Sequence, residues 1–186
     1  TYASDSEDME LGALAEITNN GTIRAVSFAD ASASSGGAAG AYASAFGARQ
    51  YAEAEDGDAT VTTTNTASNS IEAYSSARAI GDRLALADAA ATGDFQSVST
   101  GSGNALASLE NTGAIFATAL AYANASGGGT SEYYYYGSSA AADSVAAATG
   151  VKQLVVSSSG DVTATLNNGG TDIIGAGNGF NVVFGD

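Results

Sequence analysis

The sequence predicts an all-β, repetitive architecture of the β-solenoid type, made of four related units of about 46 residues. Two observations predict this fold class: a strict alternation of small with larger residues, and its recurrence along the 186 residues. A third observation, a position restricted to glycine and asparagine, predicts the bends. We place the whole chain, 1–186, in a single domain with units at approximately 11–58, 59–104, 105–150 and 151–186.

The alternation is clearest between Asn111 and Gly129. From Ile115 to Ala125 every second residue is isoleucine or alanine, and larger or polar residues separate them. Side chains of a strand alternate between two faces, whereas a helix returns to one face every third or fourth residue. The stretch therefore predicts a strand, although alanine is the best helix former.

The same pattern recurs in three further stretches: an aliphatic residue, a polar bend, a second aliphatic residue, then small residues at alternate positions. The second aliphatic residue is Ile23, Ile71, Ile115 or Val162, at intervals of 48, 44 and 47 residues. Two residues before it stand Gly21, Asn69, Gly113 and Gly160. Because glycine and asparagine adopt positive φ most readily, we expect that conformation at these bends.

The alanine-bearing faces carry no charge, so we expect them to be buried. Methyl groups allow two sheets to approach more closely than the usual ~10 Å. One buried methyl contributes about 0.8 kcal/mol, whereas fixing the backbone of a residue costs roughly 1–2 kcal/mol. We therefore expect further stabilisation from hydrogen-bond ladders, aliphatic anchors, bound ions or stacking on further copies of the chain.

One segment leaves the choice between helix and strand open. The run from Ser138 to Gly150 is rich in alanine, begins with serines that could cap a helix and ends at a glycine. A short helix there is the alternative to a strand.

Composition argues against several classes of function. The chain has 20 acidic and 5 basic residues, a formal charge of −15, which repels nucleic-acid phosphates and anionic membranes. It lacks cysteine and histidine, and therefore thiolate ligands and the usual general base. No apolar run reaches the roughly 20 residues of a membrane helix. We expect no enzyme, no nucleic-acid partner and no membrane insertion.

The last 20 residues, 167–186, contain a degenerate nine-residue repeat. Asp172 and Asn181 are nine apart, and a glycine precedes each of them by two positions. This segment resembles the nonapeptide repeat of RTX (hemolysin-type calcium-binding) secreted bacterial surface proteins, with Asn181 in place of an aspartate and Asp186 in place of a glycine. The resemblance implies secretion and a calcium site made of Asp172, Asn178, Asn181 and Asp186.

Other polar and aromatic runs are candidates for binding. In a strand, the sequence "EYYYY" would place Tyr133 and Tyr135 on one face, and Tyr134 and Tyr136 on the other. Tyrosine is favoured at interfaces, so we interpret these residues as a subunit-contact or sugar-binding patch. The acidic runs 4–10 and 53–59 lack the spacing of an EF-hand, and we interpret them as solvated turns.

These patterns together favour an extracellular structural protein, a self-assembling fibre or adhesin repeat module of a bacterial surface. Its partners would be copies of itself, joined through exposed strand edges. The alternative is a carbohydrate- or ice-binding module that uses the tyrosine patch or the Thr/Ser face at 60–66. A polysaccharide-cleaving β-helix enzyme is a third class, but such enzymes commonly rely on basic residues, which are few here.

Overall fold

In a computed structural model the chain is described over residues 1–4, 12–34, 36–126 and 141–177, and every regular element in these ranges is a β-strand. The strands are β1 (Tyr2–Ser4), β2 (Ala13–Asn19), β3 (Thr22–Ser32), β4 (Ala38–Asp56), β5 (Ala59–Asn65), β6 (Ser70–Gly81), β7 (Leu84–Ser102), β8 (Ala105–Asn111), β9 (Ala114–Ala125), β10 (Ala141–Ser157), β11 (Val162–Asn168) and β12 (Thr171–Gly177). The prediction of an all-β fold is confirmed.

The strands form three four-stranded sheets in which all neighbours are parallel. Sheet A has the order β1-β4-β7-β10, sheet B the order β11-β8-β5-β2 and sheet C the order β12-β9-β6-β3. The chain visits sheets A, B and C in the same order each time, so each strand from β1 to β9 pairs with the strand three elements later. We call one passage through A, B and C a coil.

The register between coils explains the predicted intervals. In sheet C, Ile23 pairs with Ile71 and Ile71 with Ile115, which confirms the first two intervals of 48 and 44 residues. The two intervals differ because four residues separate β5 from β6, whereas two separate β2 from β3 and β8 from β9.

The predicted equivalence of Val162 with Ile115 is wrong. Val162 pairs with Ala105 in sheet B, and the partner of Ile115 in the last coil is Asp172. The last coil is offset from the third by 57 residues, eleven more than the 46 that separate β4 from β7 and β5 from β8. The additional residues lie between β9 and β10, so every later position is shifted.

The core between sheet A and sheet C is a seam of alanine side chains. Sixteen buried alanines from β4, β6, β7, β9 and β10 form one contiguous cluster, and further alanines of β3 pack against it. The prediction that the alanine faces point inward is confirmed. Larger side chains lie at the corner between the sheets, where Ile71, Leu109 and Ile115 contact Ala48.

Sheet A bends to cover both of the other sheets. The first part of β4 packs on sheet C through Ala45 and its predecessors, and the last part packs on sheet B through Ala52 and Ala54. The alternation shifts by one residue at Gly47, because Ala45 and Ala48 are both buried although they are three positions apart, whereas residues on one face of a regular strand are an even number of positions apart. Gly93 occupies the corresponding bend of β7.

The prediction of positive φ at the four glycine and asparagine positions is wrong. Among the described residues, positive φ occurs at Ser68, Gly36, Gly57 and Gly103, and therefore at none of the four predicted positions. A Cβ on Gly113 would instead overlap the carbonyl oxygen of Asn69 and lie 2.6 Å from that of Thr66. Close stacking on the preceding coil, rather than backbone conformation, requires glycine at this position.

The helix alternative for the run ending at Gly150 is wrong where the structure describes it. Residues 141–150 belong to β10 and pair in register with β7. Ala146 and Ala148 are buried in the alanine seam, so tertiary packing overrides the helix propensity of alanine. Residues 138–140 lie outside the described ranges.

Candidate functional site

The candidate site is the end of the stack formed by β10, β11 and β12, which we call the terminal coil. These three strands are the last members of sheets A, B and C, and within the described residues no strand pairs with their outer edges. An edge strand presents unpaired N–H and C=O groups that can pair with another strand. The opposite end of the stack is formed by β1, β2 and β3.

The inward side chains of β11, in the terminal coil, are open to solvent. Val162 and Leu166 are 51% and 50% exposed, whereas their register partners Ala105 and Leu109 are each 1% exposed. Leu166 occupies the inward position that Leu109 and Thr63 hold in the preceding coils. β11 therefore exposes apolar side chains at two inward positions that are buried in β5 and β8.

The first coil carries matching residues at the same register positions. We call the residues that pair with one another across successive strands of a sheet a row. One row of sheet B runs from Ala13 to Val162, and another runs from Ile17 to Leu166. Ala13 is buried and Ile17 is half-buried. The two ends of the stack therefore present apolar side chains at equivalent inward positions, on strands that run in the same direction.

A ladder of asparagine side chains runs through the stack at the ends of the sheet B strands. The Nδ2 of Asn19 donates to the Oδ1 of Asn65 at 2.8 Å, Asn65 donates to Asn111 at 2.6 Å, and Asn111 donates to Asn168 at 2.7 Å. Each strand of sheet B ends at one of these residues. The ladder links equivalent positions of successive coils and so fixes their register.

We expect Asn65→Ala to lower the free energy of unfolding by roughly 2–4 kcal/mol, because the change removes buried hydrogen bonds to two neighbouring coils. Asn65 receives the bond from Asn19, and its Nδ2 donates to Asn111 and to the backbone oxygen of Ala114. Urea unfolding measures the loss. The exposed Asn124 is the matched control, and an equal loss for Asn124→Ala would contradict a specific role of the ladder.

A second buried network ties sheet A to sheet B. The Nε2 of Gln96 donates to Thr63 Oγ1 at 2.9 Å and to the backbone oxygen of Ser108 at 3.0 Å. Gln153, one coil later, donates to Gln96 Oε1 at 2.8 Å, and Thr63 donates to Gln50 Oε1. The glutamines thus repeat at one register position and satisfy each other inside the stack.

Asp94 lies in the same network and is fully buried. Its Oδ1 accepts a 3.4 Å hydrogen bond from Thr63 Oγ1, and its Oδ2 has no hydrogen-bond partner within the described part of the chain. Burial raises the pKa of Asp94 to about 7, and the bond from Thr63 opposes this rise. Because the carboxyl is fully buried and its pKa is raised on folding, its protonation is coupled to folding stability.

Most of the residues predicted to bind calcium or sugars lie outside the described ranges. Asp172 lies in β12, where its backbone pairs with Ile115. Asn178, Asn181 and Asp186 are not described, nor are the tyrosines at 133–136, which lie between β9 and β10. The described ranges contain no group of three or more acidic, histidine or cysteine side chains placed to hold a metal ion. The calcium site and the tyrosine patch remain predictions.

The prediction of a solvated turn for the acidic run 53–59 is confirmed only at residues 57 and 58, because residues 53–56 belong to β4 and β5 begins at Ala59. Glu53, Glu55, Asp56 and Asp58 are exposed. The carboxylates at 56 and 58 accept hydrogen bonds from the next coil, Asp56 from Ser102 Oγ at 2.8 Å and Asp58 from the Asn104 N–H at 2.7 Å. Of the run 4–10, residues 5–10 are not described.

The predicted Thr/Ser face lies on the outer side of sheet B. In β5, Thr60, Thr62 and Thr64 are half-buried and alternate with inward residues. The row through Thr62 continues with hydroxyl side chains, Ser108 and Thr165, in the next two coils. The rows on either side contain Leu106 and Glu110, so the hydroxyl surface is one row wide at β8.

The asparagine and glutamine ladders, which fix the register of the candidate site, were missed by the sequence analysis. A signal was present, because an asparagine recurs at the end of every sheet B strand, immediately before the bend. The described ranges contain no helix that could span a membrane. Comparison with protein-family models finds no match, and comparisons with curated proteins and with solved structures find none either.

Proposed function

We propose that this chain is a β-solenoid module of an extracellular structural protein, a fibre or adhesin repeat that assembles end to end with copies of itself. The observation that carries the proposal is the open terminal coil, whose inward Val162 and Leu166 are half exposed. The parallel register of three sheets, visited in constant order, supports the solenoid geometry.

In the proposed contact, β1, β2 and β3 of one copy pair with β10, β11 and β12 of another. Val162 then stacks on Ala13 of the second copy, and Leu166 stacks on Ile17, which continues two rows of the core. The contact is head-to-tail, and such a contact generates open filaments when its rotation does not close a ring. Main-chain hydrogen bonds along three strand edges add to the burial of apolar side chains.

Net charge opposes this assembly and makes it sensitive to ions. Each copy carries a formal charge of −15, so copies repel one another at low ionic strength. At about 0.15 M salt the Debye length is roughly 8 Å, and charges on the outer faces are largely screened. We expect filaments to form more readily as salt rises. The RTX-like segment supports secretion and an additional response to calcium.

Leu166→Asp tests the proposal, because an unpaired carboxylate at the centre of the contact costs several kcal/mol. Leu154→Asp is a matched control, since Leu154 is also in the last coil and is 51% exposed, but lies on the outer face of sheet A. In sedimentation velocity and negative-stain microscopy at 0.15 M salt, we expect filaments for the wild-type chain and Leu154→Asp, and monomers for Leu166→Asp. Monomers for the wild-type chain, with and without calcium, would overturn the proposal.

A further inference from the structure

Three aromatic rings and two cations form a cluster on the outer face of sheet A, which we call the aromatic–cation cluster. Its members are Phe46, Arg49, Tyr51, Phe95 and Lys152. The Arg49 Cζ lies 4.7 Å from the ring centre of Phe46 and 4.8 Å from that of Tyr51. Arg49 Cζ and Lys152 Nζ each lie 5.7 Å from the ring centre of Phe95.

The register of sheet A and its glycine bend bring these residues together. Arg49, Phe95 and Lys152 occupy one row across three coils, with the ring between the two cations. Because neighbouring strands are about 4.8 Å apart, the two cations are attached roughly 10 Å apart along the stack. The shift of alternation at Gly47 places Phe46 and Arg49 on the same outer face.

The charges around the cluster distinguish it from the rest of the surface. Of the five basic residues in the chain, Arg24 pairs with Glu72 at 3.5 Å and Arg78 pairs with Asp30 at 3.3 Å. The other three, Arg49, Arg83 and Lys152, are exposed and form no ion pair within the described ranges, and of these Arg83 precedes β7 and is not a member of the cluster. The charge of this patch is therefore opposite in sign to that of the molecule.

On the outer face, the rows on either side of Arg49, Phe95 and Lys152 contain threonine and serine side chains and no charged ones. Phe46 is in a row with Thr92 and Thr149, and Tyr51 is in a row with Ser97 and Leu154. The nearest carboxylate on this face of β4 is Glu53, one row further along. Rings, hydroxyl groups and two cations therefore lie together on one patch without an acidic side chain between them.

We propose that the aromatic–cation cluster binds an acidic sugar, a uronate or sulfated residue of a polysaccharide that runs along the stack. Aromatic rings accept the C–H faces of a pyranose, and the threonine and serine hydroxyls match its hydroxyl groups. A guanidinium held against two rings keeps its N–H edge for bidentate pairing with a carboxylate or sulfate. Lys152 supplies a second positive charge for the next acidic group.

This binding site does not depend on end-to-end assembly, because the cluster lies on the side of the stack. An acidic peptide would use the two cations but neither the hydroxyl rows nor the rings. At 0.15 M salt the distant carboxylates of the chain are screened beyond roughly 8 Å. A short oligosaccharide can therefore bind the patch although the molecule as a whole is anionic.

The test is calorimetric titration of the full chain at 0.15 M salt with an oligogalacturonate, a sulfated oligosaccharide, a neutral oligosaccharide of equal length and a poly-glutamate peptide. We expect at least one acidic oligosaccharide to bind, and the neutral sugar and the peptide to bind at least tenfold more weakly. Arg49→Gln should weaken binding at least tenfold and Lys152→Gln several-fold. Arg78→Gln, which removes the same charge elsewhere, should leave affinity unchanged, as should Leu166→Asp.

Several results would overturn the inference. These are the absence of acidic-sugar binding at millimolar concentration, equal affinity for the neutral sugar, equal affinity for the peptide, and equal loss in Arg78→Gln. Arg49 and Lys152 are exposed, so their glutamine variants should fold, and thermal unfolding followed by circular dichroism verifies this. Arg49→Lys separates charge from stacking and bidentate pairing, and we expect it to restore only part of the affinity.

Discussion

Gly93→Ala is expected to lower the free energy of unfolding by roughly 3 kcal/mol or more, at the upper end of what overpacking of a core costs. A Cβ at this position would overlap the Cγ2 of Ile115 and lie 2.6 Å from the backbone oxygen of Gly150. Neither neighbour can move freely, because Ile115 is fully buried and Gly150 lies in the paired strand β10. Urea unfolding followed by circular dichroism measures the change.

Gly21→Ala is the matched control for this substitution. A Cβ on Gly21 would meet no atom within 4 Å, and Gly21 is outside the positive-φ region. Its replacement should leave stability within about 0.5 kcal/mol, or raise it slightly by restricting the unfolded chain. Equal losses for the two variants would show that the close contact at Gly93 is not what requires glycine there.

The free energy of unfolding of the wild-type chain is expected to fall as pH rises from about 4 to about 7. Asp94→Asn is expected to abolish this fall. The carboxyl has its ordinary pKa of 3.8 when unfolded, and burial raises the pKa to about 7 in the folded chain. Between these values the folded state holds a proton that the unfolded state has lost, so folding weakens with rising pH and the loss is complete above pH 7. The difference amounts to roughly 4 kcal/mol.

The measurement is the free energy of unfolding at intervals from pH 4 to pH 8 for the wild-type chain and the variant. The other carboxylates are common to both, so their contribution cancels in the difference. Asp88→Asn is the control, because Asp88 lies on the same strand and is exposed. We expect Asp94→Asn to exceed the wild-type stability at pH 8 and Asp88→Asn to follow the wild-type curve. Parallel curves for the wild-type chain and Asp94→Asn would contradict the assignment.

The sequence was sufficient to predict the strands and the inward faces within each uninterrupted stretch. Alternation from Ile115 predicted the burial of Ala117, Ala119 and Ala121, and the recurring aliphatic residues predicted the pairing of Ile23 with Ile71. These features follow from the two-residue period of a strand, which is local and visible in a window of ten residues. The fourth unit was misplaced because fifteen residues separate β9 from β10 whereas two separate β6 from β7, and alternation within a strand does not reveal the length of the connection that precedes it.

The inward or outward direction of the chemically important side chains was decided by tertiary structure. Counting by twos from Ala91 would place Asp94 on the outer face, and counting from Ala45 would place Arg49 in the core. The structure has the reverse, with Asp94 buried and Arg49 exposed. The reason is the bend at Gly47 and Gly93, where sheet A turns from sheet C to sheet B and the alternation shifts by one residue. That shift depends on contacts with Ile71 and Ile115, which lie more than twenty residues away along the chain.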